Sequence, residues 1–324
     1  MRCGTCNRIG CAPGNMCRRS PLVLQNNVPT RKNIMTVKTV GILSPGDMGH
    51  TVGQVLRSNG LRVITCLEAR SERTKQLAKR AGIIDVPTYQ TFVRESDIIL
   101  SILVPAQAFS AARIVAEAIS ETHAEILFAD CNAIAPRTVA QIDDLIHAAG
   151  GIFVDAGIIG PPPRKPGSTR IYASGSDVAT LAELNQYGLE VIGMGDRIGE
   201  ASSLKMCYAA LTKGFAALCI ELLTAAKILG VSQPLKREFA LSESALLKRM
   251  ERYLPGVPMK SGRWVGEMEE IAKTFEQVGL TPQIFTGAAD LYRFVSKNDL
   301  ALRTPEDPDL LPGLSEMISR LAGH

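Results

Sequence analysis

The 324-residue chain has 46% apolar and 21% charged residues, enough apolar content and length to bury one large or two ordinary globular cores. Its net charge of +4 arises in residues 1–34, which hold six basic residues and no acid; the other 290 sit near −2 and lack the concentrated basic face of a nucleic-acid binder. No apolar run approaches the roughly 20 residues that cross a bilayer, so neither nucleic acid nor membrane is expected as a partner.

Residues 1–34 are rich in Arg, Cys, Pro and Asn, without apolar periodicity, and Met35 stands directly before the first predicted strand. They read as a disordered basic leader, either an organelle-targeting segment or the product of an upstream start codon. Cys3, Cys6, Cys11 and Cys17 match no tidy pair of Cys-x-x-Cys hooks and have no histidine nearby, so no metal is assigned. Cys66, Cys131, Cys207 and Cys219 lie in apolar segments and read as buried free thiols of a reducing compartment. A cytoplasmic location is expected, or a mitochondrial one if the leader is a transit peptide.

From Val37 to about Gly195, β-rich apolar runs alternate with helix-like segments. Strands are predicted at 37–43, 62–67, 97–103, 125–130, 152–155, 169–174 and 190–193. Helices are predicted at 48–59, 71–81, 106–120 and 136–148. This alternation predicts an α/β domain over 35–198 with a doubly wound parallel sheet. Beyond Gly199, Ala, Leu, Glu and Lys recur at helical spacing, predicting an all-α domain over 199–324 that begins with a long helix from about 199 to 229.

The first strand enters a turn of small residues, "VGILSPGDMGHTV". A strand leading through glycines into a helix suits a phosphate, because free backbone amides and the helix dipole face the anion. Leu43, Ser44, Pro45, Gly46, Asp47 and Met48 are the expected cradle. Ser44 stands where a dinucleotide fingerprint has its first glycine, which works if the turn needs no positive φ; an ordinary tight turn is the competing reading. After the second strand, "TCLEARSERTK" places Glu68 where an acid binds ribose hydroxyls, followed at once by Arg70, Ser71 and Arg73. These suit the 2′-phosphate of NADP, with NAD held open; Ser71 also reads as a helix N-cap.

Four later motifs follow in order: "SDIILSILVPAQAF" with Leu103, Val104 and Pro105, then "FADCNAIAP", "FVDAGIIGPPP" and "GEASSLKMCYAALTKG". This order resembles the β-hydroxyacid dehydrogenase family, relatives of 3-hydroxyisobutyrate and 6-phosphogluconate dehydrogenases, over about Val37 to Val295. The resemblance implies a Rossmann-type nucleotide domain followed by a helical domain and a homodimer. It puts Asn132 where a substrate-binding serine is usual. Gly160 is kept in a substrate segment that has Ile159 and Pro161 in place of a serine and a glycine. Lys205 falls on the family's catalytic lysine and Tyr208 on its companion Asn. The family's K-D-L helix motif is replaced by "EMEEIA".

The implied activity is hydride exchange between a nicotinamide cofactor, NADP favoured, and a small hydroxy acid or the matching carbonyl compound. Lys205 would act as general acid and base, with Asn132 and Tyr208 holding the oxygen. Desolvation among Leu204, Met206, Cys207 and Ala209 would lower the Lys205 pKa; a lysine snorkelling to solvent is the bland alternative. Imine reduction on the same scaffold and an inactive nucleotide-binding regulator are the alternative functions. Arg164 and Lys165 suit either an acid group or a solvated loop, and Glu267 and Glu270 share a helix face that either lines the pocket or, as the favoured reading, lies at the surface.

Overall fold

The computed structural model describes residues 37–304 and 311–323. The cysteines at 3, 6, 11 and 17, and the expectations for residues 1–34, lie outside the described residues.

Eight strands form one sheet: β1 (Thr39–Leu43), β2 (Arg62–Thr65), β3 (Ile84–Asp85), β4 (Ile98–Ser101), β5 (Leu127–Asp130), β6 (Ile152–Ile159), β7 (Arg170–Ser174) and β8 (Val191–Gly195). Their order is β3-β2-β1-β4-β5-β6-β7-β8. The first six run parallel, so their connections must cross over, and α1 (Gly49–Ser58), α2 (Glu72–Ala81), α3 (Tyr89–Glu95), α4 (Pro105–Thr122) and α5 (Pro136–Ala148) supply the crossings. The parallel sheet read from the sequence holds for these six strands, and the direction then changes. β6 and β7 pair antiparallel through a hairpin, and β8, reached through α6 (Val178–Ala182), then pairs parallel to β7. The two-residue β3 and α3 were also not foreseen, being too short for a periodic signal.

The strands read as continuous apolar runs because both faces are covered. Val40, Ile42, Ile98, Leu100 and Val154 pack with α1, α2 and α6 on one side. Leu43, Ile99, Phe128 and Phe153 pack with α3, α4 and α5 on the other. Gly41 is small because a Cβ there would lie 2.7 Å from the Phe92 ring of α3.

The chain then becomes helical: α7 (Glu200–Ile228), α8 (Ser232–Ser242), α9 (Ser244–Tyr253), α10 (Pro258–Gln277), α11 (Gln283–Val295) and α12 (Leu314–Ala322). Their core gathers Met206, Ile220, Trp264, Met268, Ile271 and Tyr292, and the Trp264 and Tyr292 rings meet edge to face at 5.3 Å. By length and composition α7 would pass for a membrane span, which the reading of apolar runs missed, yet 44% of its apolar window is buried within the protein. Cys66, Cys131 and Cys219 are buried thiols, whereas Cys207 is exposed, because it lies on the outer side of α7.

Candidate active site

In an open sheet, ligands bind beyond the carboxyl ends of the strands where the order reverses. Here that point lies between β1 and β4, so the Ser44–Met48 and Leu103–Pro105 loops stand side by side.

Several observations fit the first loop to a pyrophosphate. The amides of Asp47, Met48 and Gly49 have no partner among the described residues, although they open α1. Gly46 has no positive φ and nothing within 4 Å of a built Cβ, so no feature of the protein itself demands a glycine there. A ligand approaching the backbone would. At Gly49 a Cβ would lie 2.7 Å from the Ser44 carbonyl oxygen, which fixes the close helix–strand packing. The expectation for Ser44 is corrected: its φ is +84°, a left-handed conformation that disfavours any side chain.

At the end of β2 the basic trio divides. Ser71 caps α2, its Oγ accepting from the Thr74 amide at 3.3 Å. Arg73 reaches across to the Asp47 carboxylate and ties α2 to the Ser44–Met48 loop. Arg70 donates to the Tyr89 hydroxyl at 3.2 Å, while its Nε is buried without a partner. Glu68 is exposed. Of the three, Arg70 has a buried donor without a partner among the described residues.

The second loop is held by Asn132. Its Oδ1 accepts from the Leu103 amide. Its Nδ2 donates to Ser101 Oγ at 2.9 Å and to Asp130 Oδ2 at 2.8 Å. With both amide hydrogens committed and only 2% of its surface exposed, Asn132 has no donor left for a substrate oxygen. The expected substrate contact is therefore corrected to a brace between the ends of β4 and β5. Gly160 also has a local reason: it turns the β6–β7 hairpin at φ +124°, where a Cβ would lie 2.3 Å from the Ser168 carbonyl oxygen. The Pro161 carbonyl accepts from the Thr169 hydroxyl in the same hairpin.

Lys205 is positioned by β6. Asp155 Oδ2 accepts from the Gly199 and Ser202 amides, both at 3.0 Å, and from the Ser174 hydroxyl at 3.1 Å. The orphan amides at the start of α7 are thus capped from the sheet. Two residues on, Gly157 lets the helix close in, since a Cβ would lie 3.0 Å from the Lys205 Cβ. The half-buried Lys205 then donates through Nζ to the Ile158 carbonyl. Burial, reinforced by the cation of Lys213, lowers its pKa to about 8. Tyr208, one turn on, is 47% exposed and its hydroxyl has no partner among the described residues.

Motif reading missed the supports around this lysine. Asp155 and Asp130 are register neighbours on β6 and β5, both buried. Burial pushes Asp130 up to about 7, against the hydrogen bonds from Asn132, and raises Asp155 as well. The repeated strand-end aspartates of "FAD" and "FVD" were the available signal. Glu267 and Glu270 are corrected from a surface face to buried anchors. Glu267 Oε2 meets Lys213 Nζ at 2.5 Å. Glu270 Oε2 accepts from the Ala135 amide at 2.8 Å, joining α10 to the start of α5.

Comparison with known proteins agrees with this geometry. Residues 39–194 match the profile of the NAD binding domain of 6-phosphogluconate dehydrogenase, and residues 226–295 match a domain family of unknown function, DUF1932. An uncharacterised 28.5 kDa protein of Methanothermus fervidus is 31% identical over 192 residues, 59% of this chain and 72% of that one. The solved structure of MTH1747, a conserved protein of unknown function described as similar to 3-hydroxyacid dehydrogenases, is 30% identical, covering 79% of this chain and 97% of that chain, with a TM-score of 0.60. The chain belongs to the β-hydroxyacid dehydrogenase family. The fold is shared further afield with Mycobacterium tuberculosis 3-hydroxyisobutyrate dehydrogenase, solved with L-serine, at 18% identity over 88% of this chain and 99% of that chain and a TM-score of 0.62. As a β-hydroxyacid dehydrogenase homologue, the chain carries its nicotinamide-nucleotide domain over residues 39–194.

Proposed function

We propose that the protein is an NADP-dependent oxidoreductase acting on a small hydroxy acid or reducing the matching carbonyl compound. The observation that carries this reading is Lys205. A half-buried ammonium with its pKa lowered to about 8 can give or take a proton near neutral pH. It stands at the carboxyl end of β6, hydrogen-bonded to a backbone carbonyl rather than neutralised by a carboxylate.

A bound nicotinamide would supply or accept the hydride. The free amides of Asp47, Met48 and Gly49 would hold its pyrophosphate, and Arg70 the 2′-phosphate. Lys205 would then move the proton of the substrate hydroxyl, and the exposed Tyr208 hydroxyl would be the remaining side-chain donor close by. Asn132 serves by keeping the Leu103–Pro105 loop in register with β5. The protein is also proposed to act as a homodimer in the cytoplasm.

The test is a screen of NADPH and NADH oxidation over aldehydes, keto acids, ketones and imines, and of the reverse reaction over hydroxy acids. Turnover of a carbonyl or hydroxy acid, lowered about 100-fold in kcat by Lys205→Ala, supports the reading. Turnover of imines alone, or a Lys205→Ala variant as active as the native enzyme, overturns it.

A further inference from the structure

The start of α3 is brought to the end of β2 by the sheet itself. β3 pairs parallel with β2, and the Val86 amide donates to the Thr65 carbonyl at 2.8 Å, so the chain leaving β3 emerges at the carboxyl edge. Thr88 then caps α3, its Oγ1 accepting from the Thr91 amide at 3.1 Å, and Tyr89 opens the helix. The Tyr89 ring meets the buried Phe92 ring edge to face at 6.3 Å, which fixes its direction. Its hydroxyl accepts from Arg70 Nη2 at 3.2 Å.

Arg70 follows a strained turn. Ala69 holds a left-handed φ of +56°, which is unfavourable for any residue with a side chain, and the Arg70 amide donates to the Leu67 carbonyl at 3.1 Å. The half-buried guanidinium meets no carboxylate among the described residues. Nε is buried without a partner, whereas Nη1, also without a partner among the described residues, stays open to solvent. Arg73, three residues on, is paired with the Asp47 carboxylate. A phenol at this place orients the guanidinium and leaves its charge unneutralised, as a carboxylate would not. Without that bond a long side chain on a loop samples many rotamers, and an arriving ligand has to order it.

We propose that Tyr89 is a positioning residue for cofactor choice: its hydroxyl holds the Arg70 guanidinium ready for the 2′-phosphate of NADP, and it acts on the cofactor only through Arg70. The inference rests on the NADP-dependent reading. It adds to that reading a residue outside the nucleotide motif, on a helix 19 residues further along the chain.

Tyr89→Phe removes the hydroxyl and keeps the ring that packs on Phe92. Calorimetry on the full-length protein gives the Kd of NADPH and of NADH for the native chain, Tyr89→Phe, Arg70→Ala and the double variant. The native chain is expected to prefer NADPH. Tyr89→Phe should raise the Kd of NADPH about tenfold and leave that of NADH nearly unchanged. On the Arg70→Ala background the same replacement should change neither value. An unchanged NADPH Kd in Tyr89→Phe, or a loss shared equally by NADH, overturns the proposal and leaves the NADP preference standing. A further loss of NADPH in the double variant also overturns it, by giving the hydroxyl a cofactor contact of its own. Equal native affinity for the two cofactors overturns it together with the NADP reading. The expected set of Kd values, in a protein that turns over no substrate, refutes the oxidoreductase reading and leaves the role of Tyr89 standing.

Discussion

At the scale of single residues, chemistry and strain sit close together. Lys205 has a lowered pKa of about 8, so alcohol oxidation, which needs the neutral amine, should rise as pH climbs through that value. Carbonyl reduction, which needs the ammonium, should fall over the same range. Both limbs should vanish in Lys205→Ala, and Lys205→Arg should not restore them, because guanidinium keeps its proton. A kcat profile in both directions checks this. Arg70→Ala should weaken NADPH by about 1.5–3 kcal/mol and leave NADH nearly unchanged, as cofactor titrations would read. Ser44 holds a left-handed φ of +84°. Ser44→Gly should raise stability in chemical denaturation by about 1 kcal/mol, the cost that a side chain adds in this region.

At the scale of elements, β6 works as a jig for α7. Asp155, Gly157 and Ile158 meet the helix in turn, through a carboxylate cap, a close backbone approach and a carbonyl. Asp155→Ala would strip the acceptor from two amides and the Ser174 hydroxyl in a buried place. It should cost about 2–4 kcal/mol in chemical denaturation and lower kcat, because Lys205 loses its register. A variant as stable as the native chain would show that α7 is held by packing alone.

At the scale of the whole molecule, α7 lies between the sheet and the helical core and still leaves apolar surface outside. Tyr208, Leu211 and Leu218 follow one outer stripe, with Leu211 68% and Leu218 63% exposed. Such a stripe is costly in water and suits a second copy of the chain. Light scattering at micromolar concentration should give a dimer, and Leu211→Glu with Leu218→Glu should give a monomer.

The sequence by itself determined the doubly wound sheet, the crossover helices, the glycine turn between β1 and α1 and the place of Lys205 at the start of α7. These rest on local signals: apolar runs bounded by glycine and proline, and motifs whose residues are close along the chain. Only the tertiary structure decided what Asn132, Gly160, Asp155, Glu267 and Glu270 do. Their partners are distant in sequence, as with the Glu270 bond to the Ala135 amide, 135 residues away. A side chain's freedom to touch a ligand depends on which of its donors such partners have already taken. Asn132 was expected at the substrate because it falls where the family that the chain resembles has a substrate-binding serine. It became a brace because Leu103, Ser101 and Asp130 meet it there.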